Sequence, residues 1–276
     1  MIMILFDMSA LAFEAKFAVG NDIDMLRSYI LLKVLHFKQK YREFGDPVLI
    51  YDAGNYWRND LFEHYKWSRK NKRMSDSERE DFKEFFALYG QLIDEFKENL
   101  PCVNLRVDRC EADDIIATLC HHRNDDKMVL ISGDKDYKQL HPLIRVQESP
   151  HFKRGIIESD GYDLFHHICR GDDSDGIPNI VSPSDCFKNS VRQKALLTTT
   201  INEWKKNEHD PQSFCESLDM LQRFNTNRQL IDLSLIPDHI KEVILQAFDN
   251  AEIARGKTMS YLIANRLSKV IEIGGF

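Results

Sequence analysis

The sequence predicts an α/β fold: a mostly parallel central sheet with helices on both faces, plus a smaller helical C-terminal domain. Three observations carry this. Short apolar runs alternate with longer helical patterns through the first half. Three of those runs end on an acidic residue or lead straight into one. Beyond about residue 200 the pattern is helical throughout.

Met1 to Phe6 reads as a buried strand that ends in Asp7. Leu26 to Phe44 has helical periodicity, with Leu26, Ile30, Val34 and Phe37 three or four apart. Pro47 to Tyr51 is a second strand, ending in Asp52. Ser75 and Glu78 have capping-box spacing and predict a long helix to about Asn99, stopped by Pro101. Glu111-Ala112-Asp113-Asp114 opens a helix whose apolar positions are Ile115, Ile116 and Leu119. Met128 to Ser132 is a third strand, running into Gly133-Asp134. Gly171-Asp172-Asp173-Ser174-Asp175-Gly176-Ile177-Pro178 is a turn-rich acidic loop. From about Ile201 the chain reads as helical, with a break at Pro237. The expected division is an α/β domain over 1–180 and a helical domain over 181–276.

Composition narrows the class. Of 276 residues 43% are hydrophobic and 29% charged, ordinary for a globular protein and unlike a disordered chain. No apolar run approaches the roughly 20 residues of a membrane helix. The first residues lack a basic leader, so no signal peptide is expected. Six cysteines without metal-like spacing read as reduced thiols in a cytoplasmic protein. The net charge of −7 argues against a generic nucleic-acid coat, yet the charge is strongly clustered.

The acids at issue are Asp7, Asp52, Glu111, Asp113, Asp114, Asp134, Asp136, Asp172 and Asp175. Singly, each has a plain structural reading: acids at a helix start complement the macrodipole. Together they do not. A parallel sheet gathers its strand ends into one crevice. Two carboxylates about 4 Å apart repel by roughly 4 kcal/mol at an effective dielectric near 20. Such convergence calls for hard divalent cations such as Mg²⁺ or Mn²⁺. Two of them suit phosphodiester hydrolysis.

The stretch from Arg58 to Arg73 is strongly basic in this acidic chain. Lys66, Arg69, Lys70 and Arg73 are spaced to line one helical face, with Tyr65 and Trp67 interleaved. A charge run is commonly just a solvated face. One with aromatics beside acidic strand ends suits phosphates and stacked bases.

In their order these elements resemble the flap endonuclease/5′-nuclease family, and most closely its T-even phage ribonuclease H members. Asp7 follows the first strand and Asp52 the second. Tyr65-Lys66-Trp67-Ser68-Arg69 is similar to the family's YKxxR element. Glu111-Ala112-Asp113-Asp114 is similar to its EADD start, and Ser132-Gly133-Asp134-Lys135-Asp136 to its (S/A)xDKD turn. The loop from Gly171 to Pro178 is similar to its GDxSDNxPG loop.

The resemblance implies a 5′→3′ exonuclease with flap-cutting activity on RNA–DNA and DNA duplexes, removing primers from lagging-strand fragments. It implies two Mg²⁺ ions, with Mn²⁺ as a substitute. One would sit on Asp7, Asp52, Glu111 and Asp113 or Asp134; the second would use Asp136, Asp172 and Asp175, with Asp114 direct or through water. Lys66 and Arg69 would contact the reacting phosphate. Tyr65 would stack on the terminal base, and Arg58, Lys70 and Arg73 would grip the strand. Residues 55–100 would form a basic arch for the 5′ end. A single-strand-binding protein and a sliding clamp are the implied partners of a monomer in the host cytoplasm.

One departure stands out. Where the wider family has a glycine-rich hairpin around a monovalent cation, this chain reads Asn179-Ile180-Val181-Ser182-Pro183. The monovalent-cation site is therefore in question, and Lys188, Arg192 and Lys194 are the local candidates for holding duplex. The alternatives are a PIN-type ribonuclease, which is shorter and lacks the second acidic loop, and a non-catalytic nucleic-acid-binding replication accessory. A dehalogenase-type phosphatase would need a DxD pair at Asp7, and a P-loop ATPase its GxxxxGK[ST]; neither is present.

Overall fold

The computed structural model describes residues 3–67, 75–123, 128–274 and 276. Five strands pair in parallel: β1 (Ile4–Asp7), β2 (Pro47–Tyr51), β3 (Val103–Arg106), β4 (Met128–Ile131) and β5 (Ile144–Glu148). In chain order the helices used below are α1 (Met8–Val19), α2 (Ile23–Lys40), α3 (Arg58–Leu61), α4 (Asp76–Asn99), α5 (Ala112–His122), α6 (Leu164–Arg170), α7 (Thr198–Lys205), α8 (Leu218–Ile231), α9 (Asp238–Asp249), α10 (Thr258–Ala264) and α11 (Ser268–Glu272).

The strand order is β3-β2-β1-β4-β5. The chain starts at the centre, winds outward to β3, then returns to the other side of β1. That reversal opens a crevice at the carboxyl ends of β1 and β4, where sheets wound this way bind ligands.

The three inner strands are buried along their whole length, as expected when helices cover both faces. Ile4, Phe6, Leu49, Tyr51, Val129 and Ile131 share one apolar cluster with α1, α2 and α4. Their neighbours Leu5, Val48, Ile50 and Leu130 point the opposite way and are equally buried. Helix α5 packs on β1 and β2, and α9 packs on α5.

Several local signals act as the sequence predicts. Ser75 and Glu78 form a capping box, and α4 runs to Asn99. Helix α2 begins at Ile23, earlier than its periodicity indicates, because the Asp22 side chain accepts from the Asp24 and Met25 N–H groups at 3.0 and 2.9 Å. The two outer strands, β3 and β5, escape the sequence reading, since their Val-Asn-Leu-Arg and Ile-Arg-Val-Gln-Glu runs interrupt the apolar pattern with polar residues.

Two compact units emerge. One comprises Met1–Gly54, Met74–Ser159 and Asp238–Phe276; the other comprises Asn55–Arg73 and Asp160–Pro237. This partition differs from a single division near residue 180. The last helices rejoin the sheet unit because they carry its apolar residues: Tyr261, Leu262, Leu267 and Val270 lie in the same cluster as β1, and α11 packs on α2. The second unit has its own core, with Phe165 and Ile168 of α6, Ile201 of α7, Phe224 and Leu230 of α8, and Tyr65. Among the described residues no helix is long and apolar enough to cross a membrane. All six cysteines are reduced thiols.

Candidate active site

Asp7 ends β1 and caps α1, accepting from the Ala10 N–H at 3.2 Å. Its other oxygen accepts from Ser132 Oγ, just past β4, at 2.9 Å. The same Ser132 hydroxyl accepts from the Asp134 N–H at 3.2 Å. Asp7 and Asp134 are thus coupled through one side chain at the point where the strand order reverses.

Asp52 follows β2. It accepts from Ser9 Oγ at 2.5 Å and from the Ala112 N–H at 2.7 Å. The second contact fixes the start of α5 against the end of β2. There Glu111 and Asp114 form a capping box, with the Glu111 N–H bonded to Asp114 Oδ2 at 2.9 Å. Asp114 is fully buried and Glu111 nearly so. Asp113 faces Tyr137, whose hydroxyl donates to Asp113 Oδ1 at 2.6 Å. The Asp136 N–H donates to Asp134 Oδ1 at 3.0 Å.

The electrostatics match this convergence. Burial, then the charge of Asp52, push the Asp7 carboxyl up to about 7; Asp134 adds to the effect, while Ala10 and Ser132 offset part of it. The Tyr137 hydroxyl is held well above its usual range by burial, then by Asp113, Asp7 and Asp134. The sheet unit therefore brings Asp52 and Asp134 within electrostatic reach of Asp7, and Asp7, Asp113 and Asp134 within reach of the Tyr137 hydroxyl.

The second unit holds Asp172 and Asp175 in the predicted acidic loop. Asp172 Oδ1 accepts from the Ser174 N–H at 2.8 Å, and Oδ2 lies 3.1 Å from His167 Nε2. His167 Nδ1 is 3.1 Å from the Tyr162 hydroxyl. Asp175 binds the start of the basic segment. Its carbonyl accepts from the Lys66 N–H at 2.7 Å, its carboxylate accepts from Tyr65 Oη at 3.2 Å, and Lys66 Nζ lies 3.9 Å away. Gly176 permits this approach: a Cβ there would sit 3.1 Å from the His64 carbonyl.

Three expectations need correction. Lys66 itself is not helical, because its φ of +54° is left-handed. Tyr65 is only 3% exposed and sits in the second unit's core, so its ring is not presented for stacking on a base. Arg58 is likewise buried, its guanidinium donating to the Leu230 carbonyl at 3.0 Å and lying over the Trp57 ring. Arg69, Lys70 and Arg73 fall outside the described residues. From Phe85 onward α4 packs in the sheet unit's core, which leaves only its first turns for any arch.

In place of the glycine-rich hairpin, residues 179–194 form an irregular loop pinned by Asn179. Its amide donates to the Lys194 carbonyl at 2.9 Å, and its Oδ1 accepts from Ser182 Oγ at 2.8 Å. Lys188, Arg192 and Lys194 are exposed on this loop. Lys188 lies 3.9 Å from Glu63, an exposed pair of little energetic weight.

The family model described as 5′-3′ exonuclease, N-terminal resolvase-like domain, matches residues 2–159, more than half of the chain. The chain belongs to the 5′-3′ exonuclease family. A second model, described as the C-terminal part of T4 RNase H, matches residues 158–274. The ribonuclease H of Enterobacteria phage T4 is 28% identical over 262 residues, 90% of this chain and 85% of that protein. Among solved structures, a phage T5 protein co-crystallised with metal ions aligns with a TM-score of 0.68 at 15% identity, over 98% of both chains. A T5 flap endonuclease complex with DNA and metal ions aligns at 0.66 and 16% identity, again over 98% of both chains.

The donors that this 5′-3′ exonuclease gathers on its sheet unit are all carboxylate oxygens, the ligand type of hard divalent cations. Burial, and then the neighbouring charge of Asp52, raise the Asp7 carboxyl to about 7, so a charged Asp7 lacks a compensating cation there. The residues therefore fit a divalent metal. Ser132 was legible as the first position of the (S/A)xDKD resemblance, but three other side chains that shape the exonuclease's acids carried no recognised signal: Tyr137, Gln147 and His167. Tyr137 follows the Asp134-Lys135-Asp136 run directly, so its proximity was legible; Gln147 and His167 lie in segments without a motif.

Proposed function

We propose that this chain is a Mg²⁺-dependent 5′→3′ exonuclease with flap endonuclease activity on RNA–DNA and DNA duplexes, removing RNA primers from lagging-strand fragments. The observation that carries the reading is the meeting of Asp7, Asp52 and Asp134 at the carboxyl ends of β1, β2 and β4, in a chain of the 5′-3′ exonuclease family.

Two Mg²⁺ ions, replaceable by Mn²⁺, are the proposed cofactors. Asp7, Asp52, Glu111, Asp113 and Asp134 hold one, with Asp114 fixing the helix start and Asp136 beside Asp134. Asp172 and Asp175 serve the other. Bound ions of this kind lower the pKa of a water and stabilise the leaving oxygen of a phosphodiester. The chain's own groups do the rest. The Asp175 carbonyl holds the Lys66 N–H, and Lys66 is assigned the role of a charge clamp on the negative phosphate, of the type that stabilises phosphoryl transition states. Arg69 is assigned the same role. Lys188, Arg192 and Lys194 contact backbone phosphates from their exposed loop. A single-strand-binding protein and a sliding clamp are the proposed protein partners.

The test is cleavage of a 5′-labelled RNA–DNA hairpin. Short 5′ products in Mg²⁺, none in EDTA, and an inactive Asp134→Asn variant that still binds the hairpin are expected. Cleavage that persists in EDTA contradicts the reading.

A further inference from the structure

Gln147 lies on β5 and is 2% exposed. Its Nε2 donates to the Ser132 carbonyl at 3.1 Å and to the Asp134 carbonyl at 2.6 Å. Its Oε1 lies 2.7 Å from His141 Nε2. Beside it, the Ser132 N–H donates to the Glu148 carbonyl at 2.9 Å, continuing the strand pairing past β4.

The chemistry fixes the orientation of this amide. Carbonyl oxygens only accept, so the NH₂ end must face Ser132 and Asp134. The oxygen then faces His141, whose nitrogen there donates. Turned over, the amide would set its oxygen against two carbonyls, at a buried site where unsatisfied polar groups are costly. The edge strand thus carries a polar side chain inward where an apolar one would otherwise pack. What it meets there is the turn bearing two of the acids.

We infer that Gln147 is a positioning residue for Asp134 and Asp136, and that His141 sets it. Among the described residues the ladder pairing of β4 ends at Ile131, with the Ser132 N–H bond to the Glu148 carbonyl just beyond it. The Gln147 amide bridges the carbonyls on either side of Gly133 and so fixes where Asp134 departs. The Asp136 N–H in turn hangs on Asp134 Oδ1. Outer residues that orient ligands in this way commonly account for 10–100-fold in metal affinity or activity. The inference rests on the metal-binding reading of the acidic cluster.

The experiment measures Mn²⁺ binding by the free-ion EPR signal on the whole protein, alongside kcat and KM. Gln147→Met keeps the length and removes both donors. It is expected to weaken Mn²⁺ binding and lower kcat by about 10–100-fold, with KM for the nucleic acid held. Parent-like Mn²⁺ binding by the folded variant overturns the inference. Where Gln147→Met does not fold, His141→Phe decides, since it leaves the amide in place without its donor: weakened Mn²⁺ binding supports the inference and unchanged binding overturns it. If the parent and Asp134→Asn bind Mn²⁺ alike, the metal reading itself fails, and the role given to Gln147 falls with it.

Discussion

Ser132 Oγ donates to Asp7 Oδ2 at 2.9 Å, a bond between residues 125 positions apart. It crosses the reversal of strand order between β1 and β4, and the same oxygen accepts the Asp134 N–H. One hydroxyl therefore ties the Asp7 carboxylate to the main chain of Asp134.

Asp7 makes the metal-free protein sensitive to pH. Its carboxyl holds a proton to about 7 when folded, against 3.8 for the free side chain, because of burial and then Asp52. Between those values the folded state binds more protons than the unfolded one, so stability falls as pH rises from about 4 to about 7. Asp7→Asn removes this loss. Calorimetry without metal should show the variant melting above the parent at pH 8, while cleavage is abolished. Equal melting temperatures at pH 8 would remove the electrostatic cost from the account.

Lys66 is held at both its backbone and its ammonium by Asp175. Lys66→Ala should slow single-turnover cleavage by about 10²-fold or more, the scale of losing one transition-state donor. Rates within a few-fold of the parent take Lys66 off the catalytic list.

Gly176 has a φ of +71° and faces the His64 carbonyl. Gly176→Ala both strains that backbone and pushes on the segment that carries Lys66. A stability loss of about 1–3 kcal/mol is expected in denaturant titration. Cleavage should fall further than the loss of folded protein explains, and a proportionate fall would separate Gly176 from Lys66.

The buried Arg58 and the exposed Lys188 and Arg192 should behave oppositely. Arg58→Ala loses a charged bond to the Leu230 carbonyl, worth about 2 kcal/mol of stability, and leaves the salt dependence of binding unchanged. Lys188→Ala or Arg192→Ala should cost little stability and reduce the slope of log K against log salt by about 1 each. A changed slope for Arg58→Ala would return it to the interface.

The strands bearing Asp7 and Asp52 and the capping box at Ser75 were legible because short-range rules govern them: runs of buried residues and the reach of one side chain. The Lys66 turn was not. Its spacing suggests a helix, but the contact with Asp175 that holds it left-handed comes from a loop more than a hundred residues away. Tyr65 and Arg58 failed for a related reason. Their residue types suit nucleic acid, and only tertiary packing shows that they face the core. Gln147 was invisible because a polar residue on an outer strand reads as solvent-facing until its partners are seen.

Anomalous diffraction from crystals soaked in Mn²⁺ tests the central claim most directly. The account predicts a strong peak within coordinating distance of the Asp7, Asp52 and Asp134 carboxylates, lost in Asp134→Asn. Carboxylates without such a peak at saturating Mn²⁺, in crystals that take up the ion elsewhere, would contradict it.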